Sequence, residues 1–378
     1  MPKVIVLATV ATKSEEADFL VARLADAGVH AQIIDISLQA NGAVLGGTDK
    51  RIAMERAAKT ALIQVQTACA KSAEVVVAIG GGTGGEIALQ VLRELPITFP
   101  KVMVTTLPFD PRVAVADNSI ILVPTLADVS GLNGMLRDVL ENAALMTAGL
   151  CQKSRKGELT DIKQSVGITG LGATEGAIKP LLKVFAEQGR EATVFHANGY
   201  GGAAFARFAD KNAFDAIIDL TPHELTRIHL AGVHATMPNR FSAGGDLPRV
   251  VLPGALNFIG LGQKSLVQSH YLERAHYEHS GLFTHVKLNA DEMRHVSKQL
   301  ATHLNTLSGP CAVIVPMGGF SHQDCKGGPI EDANLRNVCL ETLQSNLRET
   351  ISITSIDAHI FDPLITGEIM SKLAELSA

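Results

Sequence analysis

The sequence has no tryptophan and only 3 tyrosines and 13 phenylalanines, too few aromatic faces for a base-stacking surface. Its net charge of −5 opposes a phosphate backbone, so nucleic acid is excluded as a partner. The five cysteines, at positions 69, 151, 311, 325 and 339, contain no C-x-x-C pair. That usage argues for reduced thiols in a cytoplasmic protein, and against a disulfide framework or structural zinc. No apolar run reaches the roughly 18 residues of a membrane helix. Met1-Pro2-Lys3-Val4-Ile5-Val6 enters a strand directly, without a signal-peptide pattern. A G-x-S-x-G elbow and a Walker A Gly-Lys-Ser/Thr are also missing, which leaves α/β-hydrolase chemistry and a P-loop unsupported. With 378 residues, 46% of them hydrophobic and 19% charged, the chain has the composition of a well-cored protein of two or three domains.

What is present is Gly80-Gly81-Gly82-Thr83-Gly84-Gly85, between the apolar run Val75-Val76-Val77-Ala78-Ile79 and a helical period from Glu86 to Leu92. The order reads as strand, turn, helix. A helix starting near Gly84 would turn its unpaired amides and positive dipole end toward whatever lies over the turn, the geometry of an anion cradle. A glycine turn can also serve tight packing alone; so many glycines together favour the cradle. The turn is not the spaced G-x-G-x-x-G fingerprint. It specifies a phosphate or carboxylate, not a molecule.

The surrounding pattern is α/β. Val4 to Ala8 reads as a buried parallel strand and Thr9 to Thr12 as a turn. Thr12 and Glu15 make a capping box for a helix on Ala17, Leu20, Val21, Leu24 and Ala27. Ala31 to Ile36 is the next strand, and Asp35 near its end is a turn former or, alternatively, a ribose ligand. Residues 37–50 read as a loop and 51–70 as a helix; Lys101 to Thr105 and Ile120 to Val123 read as strands, Leu107 to Pro111 as a turn, and Asp128 to Gly149 as a helix. The charged run Lys153-Ser154-Arg155-Lys156-Gly157-Glu158 marks the boundary between an N-terminal domain, residues 1–157, and a C-terminal domain, residues 158–378.

Beyond that boundary the opening pattern returns. Val166 to Thr174 is a strand and turn; Ile178, Leu181, Leu182 and Phe185 mark a helix face, and Ala192 to His196 is a strand. Gly28 and Gly189 lie 161 positions apart, as do Asp35 and His196. Two similar α/β domains are expected. Pro180 moves the predicted helix start to about Ala177. His196-Ala197-Asn198-Gly199-Tyr200-Gly201-Gly202 repeats the glycine turn. Later strands end at Thr221-Pro222-His223-Glu224, Pro253-Gly254-Ala255, Pro316 to His322 and Asp357 to Asp362. The fold class is α/β, two Rossmann-like domains with mostly parallel sheets, and a ligand cleft between them at the carboxyl ends of the strands.

Twelve of the 13 histidines follow residue 166. His322 with Asp324, and His359 with Asp357 and Asp362, sit just past predicted strands, where an imidazole beside a carboxylate serves as general acid or base. Surface or hydrogen-bonded histidines are the plainer alternative. His270, His276, His279 and His285 contain H-x-x-H without the glutamate of H-E-x-x-H, and read as a solvated polar helix in preference to a zinc site. Gly260-Leu261-Gly262-Gln263-Lys264-Ser265 mimics a phosphate loop only loosely, with Gln263 where a glycine is needed.

Gly80 to Gly85, Asp128-Val129-Ser130-Gly131-Leu132-Asn133, Phe195 to Gly202, Pro253-Gly254-Ala255-Leu256, and Gly318-Gly319-Phe320-Ser321 with Asp324, Gly327 and Asp332 follow one another in an order found in one bacterial and plant family. From about residue 3 to the C-terminus the sequence resembles that family, which includes the ATP-binding inhibitor domain of the tomato mosaic virus resistance protein. The resemblance implies two Rossmann-like domains, a homodimer or higher homo-oligomer, and binding of ATP, with or without Mg²⁺. It implies no particular reaction. Two positions depart from the pattern: Asn198-Gly199-Tyr200 replaces a Thr-Gly-Thr-like turn, and Asn257 replaces an aspartate.

The expected function is therefore nucleotide binding. Gly80, Gly81, Gly82, Thr83, Gly84 and Gly85, with Thr9 and Thr12, hold the phosphates, and Gly170, Gly172, Thr174, His196, Asn198, Gly199, Gly201 and Gly202 form the facing set in the second domain. Whether the chain is an enzyme stays open. One alternative is a metabolic enzyme acting on a small carboxylated or phosphorylated substrate, with His322, Asp324, His359 and Asp362 moving protons. The other is a non-catalytic ligand sensor or scaffold.

Overall fold

The computed structural model describes residues 1–38, 46–108, 110, 115, 118–152, 165–232, 237 and 239–378. The chain divides into two compact units, Met1–Glu158 and Leu159–Ala378. The charged run Lys153 to Glu158, read as the boundary, lies outside the described residues, as do Phe109 and Pro111 of the turn read at 107–111 and residues 39–45 of the loop read at 37–50. No described helix is long and apolar enough to cross a membrane.

The first unit is built on a parallel sheet of β1 (Val4–Ala8), β2 (Ala31–Asp35), β3 (Val75–Ile79), β4 (Lys101–Thr105) and β5 (Ile121–Pro124), in the order β2-β1-β3-β4-β5. Helices α1 (Val10–Asp26), α2 (Gly47–Lys71), α3 (Gly82–Glu94) and α4 (Gly134–Gln152) flank it. The central strands β1 and β3 are continuously apolar because both of their faces are covered. Ile5, Leu7, Val76 and Ala78 pack with Met54 and Val65 of α2 and Ile87 and Val91 of α3. Their neighbours Val4, Val6, Val75 and Val77 face the other way, onto Leu20 and Leu24 of α1 and Leu136 and Leu140 of α4.

The second unit repeats the arrangement with more strands. Its parallel sheet runs β14-β13-β9-β8-β6-β7, from β6 (Ser165–Gly170), β7 (Glu191–His196), β8 (Ala216–Asp219), β9 (Arg249–Val251), β13 (Cys311–Pro316) and β14 (Ser352–Ile356). Helices α5 (Glu175–Glu187), α6 (Tyr200–Asp210), α7 (Glu224–His229), α8 (Ala290–Leu304), α9 (Ala333–Asn346) and α10 (Pro363–Leu376) surround it. As in the first unit, the opening strand pairs with the second on one side and the third on the other. Ala8 stands opposite Asp35, and Gly170 opposite His196.

Several element boundaries differ from the sequence reading. The polar helix expected around His270 to His285 is instead mostly a hairpin of β11 (His276–Ser280) and β12 (Phe283–Lys287), joined by β10 (Phe258–Leu261) into an antiparallel sheet. The period there is two: Thr284 and Val286 are buried, and Phe283 is exposed. The helix expected from Asp128 begins at Gly134, because Gly131 takes a φ of +75° and the Asn133 side chain accepts the Leu136 amide at 3.0 Å. Helix α1 starts at Val10 and kinks at Lys13, so no capping box forms between Thr12 and Glu15; the Thr12 hydroxyl lies 3.2 Å from that of Thr9 instead. Pro180 sits inside α5, which starts at Glu175 after a tight turn at Gly172–Thr174.

Candidate functional site

In the first unit the chain leaves β1 toward β2 on one side and returns to β3 on the other. Loops diverge at such a switch point and leave a crevice beyond the carboxyl ends of the strands. Here it has a volume of about 430 Å³, within the range of about 300–1,000 Å³ usual for ligand sites. Thr9, Thr12 and Lys13 enter it from the end of β1, Ser37 from the end of β2, Gly80 to Gly84 from the end of β3, and Asp128 from beyond β5.

The six glycine-turn residues divide into two groups. A Cβ at Gly80 would lie 2.5 Å from the Gly85 nitrogen and 2.7 Å from the Gly84 carbonyl carbon, and one at Gly85 would lie 3.2 Å from the Gly80 oxygen. These two are glycine so that β3 and α3 can meet closely. A Cβ at Gly82, in contrast, would have nothing within 4 Å. Helix α3 begins two residues earlier than expected, at Gly82, and its cap position is Gly81, which has no side chain to offer. The first helical bond runs from the Gly85 amide to the Gly81 carbonyl at 2.9 Å. Among the described residues the amides of Gly82, Thr83 and Gly84 have no acceptor, and all three residues line the crevice.

The other helix start at this crevice is closed. Asp35 Oδ1 accepts the Val10 amide at 3.0 Å and the Ser37 amide at 2.8 Å, while the Ser37 hydroxyl accepts the Ala11 amide at 3.0 Å. Burial would raise the Asp35 pKa, but the bonds from Ser37 and Val10 outweigh it and hold the carboxyl below its ordinary value. Asp35 is a turn former and helix cap here.

Most of the glycine-turn set of the second unit is taken up by contacts within that unit. Asn198 Oδ1 accepts the amides of Tyr200 and Gly201 at 3.2 and 3.3 Å, capping α6, and Gly199 bends the chain with a φ of +100°. Side chains at Gly170, Gly201 and Gly202 would collide with Ile178, the His196 carbonyl and Glu224 respectively. Thr174 is buried against Thr221, with the hydroxyls 2.9 Å apart, whereas Gly172 has open space and His196 is exposed.

His322, Asp324, His359 and Asp362 come together at the neighbouring ends of β13 and β14, where Gly319 bridges to His359. Asp324 accepts the Phe320 and Asp332 amides at 2.9 and 3.1 Å and pairs with Arg336 at 2.5 Å, although burial outweighs these contacts and raises its pKa. His359 accepts the Phe361 amide on Nδ1 at 3.2 Å, so its Nε2 carries the proton and donates to the Ser321 carbonyl at 3.0 Å. Asp362 caps α10 through the Leu364 amide at 2.9 Å. These three side chains fasten loops. The His322 side chain is exposed, 6.1 Å from the Phe361 ring.

Two further groups carry no mark in the sequence strong enough to single them out. Arg240 is fully buried between Asp219, at 2.8 Å, and Glu224, at 3.2 Å. Burial raises the Glu224 pKa against the pull of Arg240. His223 is buried beside Arg227; burial first, and the Arg227 charge second, push its pKa down to about 3. His285 stacks on Phe258 with ring centres 4.1 Å apart, and burial followed by the charge of His279 takes it to about 3 as well. Asn257, where the resemblance expects aspartate, is 2% exposed, and neither polar atom of its side chain has a partner among the described residues. The described residues contain no group of three or more histidine, cysteine or acidic side chains placed to hold a metal.

Residues 39–156 match the N-terminal domain, and residues 163–377 the C-terminal domain, of an uncharacterised protein family, UPF0261. The chain belongs to the UPF0261 family. A UPF0261 protein of Mesorhizobium japonicum is 32% identical over 389 residues, covering 96% of each chain. One of Clostridium tetani is 28% identical over 402 residues, covering 99% of this chain and 98% of the relative. The chain is also 26% identical over 311 residues to the ToMV resistance protein Tm-1 of Solanum lycopersicum, a match covering 80% of this chain and 41% of that protein. The family expected from the ordered glycine motifs is thus the one found. The N-terminal UPF0261 domain includes Gly80 to Gly85 and Asp128, and the C-terminal one includes His223, Arg227 and the loops after β13 and β14.

Proposed function

We propose that the chain is a nucleotide-binding protein that seats the phosphates of ATP in the crevice of the first unit, on the amides of Gly82, Thr83 and Gly84. The observation behind this reading is a contrast between helix starts. Side chains of Asp35 and Ser37 take the first two amides of α1, and Asn198 the first two of α6, yet α3 keeps three amides without acceptors over a crevice of ligand size. Unpaired amides at the positive end of a helix dipole attract an anion of several charges. Lys13 adds a cation, and Thr9, Thr12 and Thr83 add hydroxyls. Mg²⁺ carried by the phosphates would find the Asp128 carboxylate on the same wall. The family resemblance adds a homodimer or larger homo-oligomer to the proposal, and the cysteine usage adds a cytoplasmic location.

Thermal melting of the whole chain tests it. ATP with Mg²⁺ at a hundredfold excess over its dissociation constant should stabilise the fold by about 2.7 kcal/mol, a rise of several degrees in Tm. AMP, with one phosphate, should do so less. A folded protein whose Tm is indifferent to millimolar ATP contradicts the reading.

A further inference from the structure

The Asp128 wall of the crevice is fastened by a buried acid. Glu16, two turns into α1, is 2% exposed, and its Oε1 accepts the Gly131 amide at 2.8 Å across 115 positions of chain. A carboxylate taken out of water is costly unless it is hydrogen-bonded, and its bond to an amide is charge-assisted. Lys13, one turn earlier on the same helix, already lines the crevice.

The segment that Glu16 holds, residues 128–133, joins the end of β5 to the start of α4 without regular structure of its own. Val129 is fully buried in the apolar cluster that contains Leu20 and Leu24 of α1, and Leu132 packs against the same cluster. Apolar burial has no direction and leaves such a segment free to slide or tilt, whereas a hydrogen bond sets its register. Gly131 supplies the donor. Its φ of +75° is open to glycine at little cost, and the turn it makes delivers its amide to Glu16. A Cβ there would meet nothing within 4 Å, so this glycine serves the backbone turn and not close packing. Asp128, itself exposed, is the residue of the segment that lines the crevice.

We propose that Glu16 is a positioning residue for the crevice. It holds the segment in the register that places the Asp128 carboxylate beside the phosphates, where that carboxylate meets the divalent cation they carry. This role rests on the nucleotide reading of the crevice. Accepting one N–H is all that is asked of Glu16, so an amide oxygen at the same reach serves as well and the charge is dispensable.

Calorimetric titration of the full chain with ATP, in Mg²⁺ and then in EDTA, reads the contribution of the cation as a ratio of affinities. The wild type should bind about tenfold more tightly with Mg²⁺, the worth of one charge-assisted contact. Asp128→Asn should lose that ratio. So should Glu16→Leu, which fills a similar buried volume without an acceptor. Glu16→Gln should keep the ratio to within about twofold of the wild type. The Glu16→Leu, Asp128→Asn double variant should lose no more than either single one, because both act through one carboxylate. A wild-type ratio in folded Glu16→Leu, a ratio in Glu16→Gln as low as in Glu16→Leu, or additive losses in the double variant would overturn the proposal. Should Glu16→Leu not fold, Asp128→Asn decides: a wild-type ratio there removes the carboxylate that Glu16 is proposed to serve. Wild-type binding at equal affinity with and without Mg²⁺ overturns the role of Glu16 and leaves the nucleotide reading standing, whereas a chain that binds no ATP overturns both.

Discussion

Gly82→Asp separates fold from ligand more cleanly than any other substitution in the crevice. Gly82 is the first residue of α3, its side-chain direction is open, and the next turn of helix is unaffected. A carboxylate in the first turn is favourable to the helix dipole by about 0.3–1 kcal/mol, and replacing glycine adds roughly 0.3 kcal/mol of helix propensity. The free protein should therefore melt higher by a few degrees. The same carboxylate stands where the phosphates are proposed to bind. Two unit charges at about 4 Å repel by about 4 kcal/mol at an effective dielectric of 20, and screening at this exposed position reduces that severalfold. A loss of at least about 1.4 kcal/mol, tenfold in ATP affinity, is expected. The assay is calorimetric titration of ATP with Mg²⁺ beside melting of the free protein, with Gly82→Ala as an uncharged control. A stabilised variant that binds ATP as the wild type does would refute the placement of the phosphates.

Gly80→Ala drives a Cβ into the backbone of Gly84 and Gly85, which cannot rotate away; a loss of about 1–3 kcal/mol in urea denaturation is expected, and a neutral result would contradict the packing role. Arg240→Ala strands Asp219 and Glu224 as buried acids, so unfolding should become easier by about 3–5 kcal/mol, measured by the same titration. The pH dependence follows from His223 and His285, whose folded pKa values of about 3 lie below the unfolded 6.5. The unfolded chain then binds more protons between those values, so stability falls as pH drops below 6.5. At about pH 5.5 each imidazole costs about 1.4 kcal/mol, and His223→Asn should remove one such share of the slope. A slope unchanged by that substitution would show that His223 is not held neutral.

The central strands of both parallel sheets are legible because a strand covered on both faces is written as one apolar run, such as Val75 to Ile79 or Cys311 to Pro316. Helix starts were less legible. Whether Thr12, Asn133 or Asp35 caps a helix depends on which amide the tertiary fold brings to it, and Asp35 caps a helix that precedes it in sequence. The hairpin of β11 and β12 was hidden because its histidines suggested a polar face, while the alternation that betrays a strand rests on Thr284 and Val286 alone. At the site, the glycine turn announced the crevice but not which glycines serve packing. His223 was visible only as a strand-end residue. Its tautomer is fixed by Ala255, 32 positions away.

The most direct measurement is an amide-resolved NMR titration of the full chain with ATP and Mg²⁺. The amide resonances of Gly82, Thr83 and Gly84 should shift together, saturably and more than those of Val10, Tyr200 and Gly201, whose hydrogens already have acceptors. Saturable ATP binding that leaves those three amides unmoved would contradict phosphate binding at the start of α3.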